Sequence, residues 1–174
     1  MVVLKVWFNM YRHITERQKH FMKRYISSLK DCVGDDKYEE HKTWWNTEHK
    51  NYLYNISQGT GCDTGLITIE AYEGKNFTDE HVYSNVKTSH KILELYKKGI
   101  LDLDWLMDNV QHIVPTIKTT PEQNMLLRKI TANMDYNQIK HMEHYREVTK
   151  GLIWNPSCKK HYSNTTKHMK DLLI

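Results

Sequence analysis

The sequence predicts an α+β fold, rich in helix, with a β-hairpin followed by a helix, in β–β–α order, at its centre. Three observations carry the prediction. Long stretches place apolar residues at helical spacing, "LITIEAYEGKNFTDEHVYS" sets two β-branched and aromatic runs around the turn-like "EGKN", and "TTPEQN" opens a helix with a complete start signal. At 174 residues the chain suits about one compact unit. Within it we expect a basic helical segment over 1–58, a ββα-like core with a helical insertion over 59–134, and a second basic helical segment over 135–174.

The elements follow in order. From Tyr11 to Asp31 apolar residues fall at Ile14, Phe21, Met22, Tyr25, Ile26 and Leu29, one stripe of a helix whose other face is basic. "YEEHKTWWNTEHKNYLYNI" resumes helical spacing and offers Trp44, Trp45, Tyr52, Leu53 and Ile56 for packing. "QGTGCDTG" then supplies enough permissive backbone to end that helix and turn the chain. After the expected hairpin, "TSHKILELYKKG" and "LDLDWLMDNVQH" are helical, the first stopping at Gly99. "IVPTIKT" is extended. In the next helix Thr120 is the N-cap, Pro121 takes the first position and Gln123 completes a capping box. A further helix is expected from Tyr136 to Thr149, and the basic tail is loop-like with a short helix at its end.

Composition narrows the chemistry. With 11 tyrosines and 5 tryptophans the chain has large rings enough to pack, which argues against disorder. No apolar run is long enough to span a bilayer, so no membrane partner is expected. Three cysteines, Cys32, Cys62 and Cys158, without C-x-x-C spacing imply neither a disulfide framework nor a zinc cluster, and a reducing, cytoplasmic setting is expected. His141 and His144, with His90 and His112, lack the spacing of a zinc site. P-loop, dinucleotide and G-x-S-x-G motifs are missing, and the nucleotide-dependent classes lose their sequence support.

The net charge of +4 is unevenly spread. Lys and Arg against Asp and Glu number 10 to 7 over residues 1–50, 5 to 9 over 51–117 and 10 to 5 over 118–174, so an acidic middle lies between basic ends. Clustered cations of this kind release counterions from a polyanion. Arg12, Arg17, Lys19, Lys23 and Arg24 in the first helix, with Lys140, Arg146, Lys150, Lys159, Lys160 and Lys167 near the end, are the expected phosphate contacts on double-stranded DNA. Tyr11, Trp44, Trp45 and Trp154 are candidates for base stacking, although core packing claims most such rings.

In the acidic middle, "FTDEHVYS" sets Asp79, Glu80 and His81 side by side. Phosphodiester hydrolysis needs a base to take a proton from water and a cation, held by side-chain oxygens, to neutralise the phosphate. Neutral histidine suits the first task, and carboxylate and amide oxygens suit magnesium. In a regular strand Asp79 and His81 share a face, whereas Glu80 joins His81 only if the strand ends or bulges there.

"FTDEHVYS", with "IKTTPEQNMLL" downstream, resembles the HNH, or His-Me finger, nucleases found among phage-encoded homing endonucleases. The resemblance covers about residues 66–130. It implies that the core over 59–134 is a ββα-metal-like catalytic core, a hairpin and a helix clasping one divalent metal, Mg2+ with Mn2+ as a substitute. His81 would be the general base, Glu80 the metal ligand before it, Asp79 a second candidate ligand, Asn124 the ligand from the helix, and Asn85 the residue that orients the histidine. The helices between Thr88 and His112 would then be an insertion. The function so implied is a metal-dependent DNA endonuclease, for which a symmetric homodimer would match two strands. Two alternatives stand beside it: a non-catalytic nucleic-acid-binding or host-interaction protein, and a nuclease whose metal site uses Glu70, Asp79 and Glu80 without His81 as base.

Overall fold

A computed structural model of the chain describes residues 14–58, 62–158 and 167–174. Two long helices come first. In α1 (Glu16–Gly34) Thr15 and Gln18 form a capping box, and the stripe read from sequence buries Met22, Tyr25 and Leu29. α2 (Tyr38–Ser57) returns antiparallel against it, burying Trp45, His49, Leu53 and Ile56. Together with α4 (Asn85–Lys97) and α5 (Leu103–Ile113) these helices enclose one apolar core, to which Ile92, Leu106 and Val110 also belong.

The remaining elements build a four-stranded mixed sheet in the order β2-β3-β1-β4. β1 (Asp63–Thr68) pairs parallel with β3 (Thr116–Thr119) and antiparallel with β4 (Leu152–Trp154), while β2 (Thr78–His81) lies antiparallel on the outer side of β3. Gly65, at φ +77°, takes up the irregularity in β1 where its register with β3 shifts. A second core joins Leu66, Ile117 and Leu152 of the sheet to Leu127 of α6 (Pro121–Thr131), Ile139 of α7 (Tyr136–Lys140), Tyr145 of α8 (Glu143–Val148) and Met169 of α9 (Lys167–Lys170).

The mixed helix-and-strand class and the capped helix α6 agree with expectation, and the expected hairpin does not form. The run "LITI" stays extended only to Thr68, whose hydroxyl accepts from the Ala71 N–H and so caps a short helix, α3 (Ile69–Gly74). Lys75, in the left-handed region, ends that helix. β3, more than thirty residues further on, then inserts between the two strands that "EGKN" was expected to join, so the core of the sheet is not a ββα unit closed by a local turn. The helix expected over 136–149 is divided too. Met142, at φ +57°, separates α7 from α8. Among the described residues no helix is long and apolar enough to cross a membrane.

Candidate functional site

β2 is an edge strand, and a cleft of about 450 Å³ opens beside its end. Four elements wall it. α2 contributes Lys50, Asn51 and Tyr54; β2 contributes Glu80 and His81; the start of α4 contributes Ser84, Asn85 and Val86; and the end of α6 contributes Arg128, Thr131 and Ala132. Lys87 straps two of these walls together, donating from α4 to the Thr131 and Ala132 carbonyls at the C-terminal end of α6, where a cation also suits the helix dipole.

The register of β2 against β3 is unbroken from Thr78 opposite Thr119 to His81 opposite Thr116. No bulge is needed to bring Glu80 beside His81. The strand simply ends at His81, and the cleft wraps around its free end, so side chains leaving opposite faces both line it. Glu80 shares a face with its cross-strand partner Ile117, toward the second core, and is 6% exposed. His81 leaves the other face and meets α2, its Nε2 lying 2.7 Å from Ser57 Oγ. Ser57 donates its one hydroxyl proton to the Tyr54 carbonyl, so in the consistent network Nε2–H donates to Ser57 Oγ and Nδ1 carries the lone pair.

Electrostatics drive the two neighbours toward different protonation states. Burial pushes the Glu80 carboxyl up to about 8, against the opposing pull of Arg128. The carboxyl has no hydrogen bond or ion pair among the described residues. At neutral pH Glu80 therefore carries its proton. Burial lowers the His81 imidazole, Arg128 lowers it further and Asp79 pulls it back, so His81 is neutral. Such a pair, pushed apart by surroundings, provides an acid and a base at one place.

The remaining expected ligands are elsewhere. Asp79 is exposed, outside the cleft, and bound to Lys118 Nζ at 2.8 Å. Asn124 is buried on α6 and spends its amide on the Asp79 backbone carbonyl at 3.3 Å, bracing helix to strand. Glu70 accepts from the Lys150 N–H. Of the acids and amides expected around one ion, only Glu80 reaches the cleft, in its neutral form and in the company of Lys50 and Arg128. The donors present do not fit a divalent cation, and among the described residues no group of three His, Cys, Asp or Glu gathers to hold one. Asn85 does line the cleft, but its Oδ1 is buried without a partner and the hydroxyl that fixes His81 is that of Ser57.

Of the expected DNA contacts, Arg17 reaches from α1 to Asn55 of α2, one residue past Tyr54, and Lys19 pairs with Glu16. Lys23, Arg24, Arg146 and Lys150 are exposed. Arg12, Lys159, Lys160 and Tyr11 lie outside the described residues, as does the side chain of Lys140. Sequence reasoning missed Lys50, Tyr54, Ser57, Ser84 and Arg128. Lys50 and Tyr54 do stand one helical turn apart, and Arg128 one turn beyond Asn124, a spacing that announces a shared face but not what it faces. No protein-family model, curated protein or solved structure matches the chain.

Proposed function

We propose that the protein is a nuclease that cleaves phosphodiester bonds in the cleft at the end of β2. The observation that carries the proposal is the convergence in one cleft of His81 and Glu80 with the cations of Lys50 and Arg128, where burial favours the protonated carboxyl and the neutral imidazole. The start of α4 adds to the positive potential. Its N-cap residue Ser84 makes no side-chain capping bond, so the first backbone N–H groups of this helix are left for an anion. Tyr54, 52% exposed, offers a ring for a base beside the phosphate. In this scheme Lys50, Arg128 and the α4 terminus hold the phosphate, His81 removes a proton from the attacking oxygen and Glu80 protonates the leaving one.

The test is cleavage of a panel of end-labelled DNA and RNA oligonucleotides and of plasmid DNA, with and without magnesium. The parent is expected to cut at least one substrate, His81→Ala to lose on the order of 100-fold in rate, and Arg128→Ala to bind and cut more weakly with a shallower salt dependence. Binding with no cleavage of any substrate would favour the non-catalytic alternative.

A further inference from the structure

The arrangement of the cleft also restricts its substrate. A metal-dependent nuclease that attacks with water uses the bound metal to activate that water and to offset the charge that builds on phosphorus. Here positive charge is already supplied by Lys50, Arg128 and the start of α4, and among the described residues the one carboxyl in the cleft is buried, without a hydrogen bond or ion pair, and near a guanidinium. These surroundings repel a divalent cation. They suit a reaction in which the nucleophile arrives within the substrate, held next to phosphorus, where intramolecularity replaces the activation of a free water.

We infer that the strand held in this cleft is RNA, cut by its own 2′-hydroxyl with His81 as base and Glu80 as acid, an inference that rests on the nuclease reading of the same cleft. His81 takes the proton of the 2′-hydroxyl at Nδ1, and the 2′-oxygen forms its bond to phosphorus. The bond from phosphorus to the 5′-oxygen of the next nucleotide breaks, and Glu80 gives that oxygen its proton. The products are a 2′,3′-cyclic phosphate and a free 5′-hydroxyl. No water, oxidant or metal enters the balance, and the enzyme resets when the proton on His81 returns to Glu80 through solvent.

Geometry supports the division of labour. In-line displacement places the entering and leaving oxygens on opposite sides of phosphorus, so base and acid must flank it. Consecutive residues of a strand leave opposite faces, and β2 ends where the cleft begins, so His81 from the α2 side and Glu80 from the α6 side flank a phosphate seated at the strand end.

The experiment incubates the full chain in EDTA with an end-labelled single-stranded RNA, with the same RNA carrying one 2′-deoxy position at its main cut site, and with the all-deoxy strand. Cutting of the RNA to a 2′,3′-cyclic phosphate end is expected, together with loss of cutting at the substituted position alone and an intact DNA strand. This comparison uses the parent protein, so it does not depend on any variant folding. Glu80→Gln, which keeps a neutral side chain of the same size, is expected to lower the rate by on the order of 100-fold. Cleavage at the 2′-deoxy position, or DNA cleavage that requires magnesium, would overturn the RNA inference and leave the nuclease reading standing. No cleavage of any strand, with or without magnesium, would overturn both.

Discussion

Glu80 is a carboxyl set among apolar and aromatic neighbours, with His81 beside it, Arg128 opposite, and the hydroxyls of Tyr83 and Tyr145 within electrostatic reach of one another and, for Tyr145, of Glu80 itself. Its ordinary value is 4.5, and burial moves it to about 8. Between those values the folded protein keeps a proton that the unfolded chain has released. Stability is therefore complete below 4.5 and falls as pH rises through the folded value. Each unit of that window is worth at most about 1.4 kcal/mol, so the whole effect is on the order of a few kcal/mol. Glu80→Gln removes the ionisation and keeps the shape. Chemical denaturation should find the variant gaining on the parent as pH is raised from 4 to 9, whereas a constant difference would mean that Glu80 ionises freely in the fold. At this scale much was legible: the acid and histidine pair stood out because three polar residues interrupt a β-branched run. Ser57 did not, since nothing local distinguishes the last residue of a helix that meets a strand 24 positions away.

Among the elements, α6 shows what a local signal does and does not specify. Thr120, Pro121 and Gln123 fix where it begins, and its cap forms as read, with the Thr120 hydroxyl accepting from the Gln123 N–H. Thr120→Ala should lower stability by about 1 kcal/mol, with little change in the cleft of the protein that remains folded. Asn124, one residue further on, is different, because its amide ties α6 to the strand that carries both Glu80 and His81. Asn124→Ala should cost roughly 1 kcal/mol for the lost hydrogen bond and, under the proposed nuclease function, lower cleavage as well by loosening β2. Raising magnesium would restore a variant that had lost a metal ligand, and it should leave this one unchanged. The hairpin was misread for a related reason. β-branched residues around "EGKN" describe two extended runs equally well whether they pair with each other or with a third strand, and the pairing of β3 between them is set by long-range packing of Ile117 and Leu66 in the second core. The cap at Thr68 was present in the sequence, but a six-residue helix leaves no periodicity to read.

Over the whole molecule, the buried histidines oppose Glu80 in the dependence of stability on pH. His49 lies 2% exposed in the helical core against Tyr25 and Trp45, and burial lowers it to about 4, partly offset by its bond to the Ser28 backbone. His81 and His144 are lowered by burial as well. For each, the unfolded chain takes up a proton near 6.5 that the folded protein refuses, so this stability is complete above 6.5 and is lost as pH falls toward the folded value. Several histidines outweigh the single carboxyl below 6.5, and Glu80 governs the slope from there to about 8. Stability should peak near 6.5, with the buried histidines His49, His81 and His144 setting the acid limb and Glu80 the alkaline one. His49→Phe keeps a ring between Tyr25 and Trp45 while removing the titration. It should lose some stability at pH 7, where the Ser28 bond is gone, yet fall less steeply than the parent between pH 6.5 and 4 in a series of denaturation midpoints. An acid limb of unchanged steepness would assign the proton uptake to other groups and detach the helical core from the pH response.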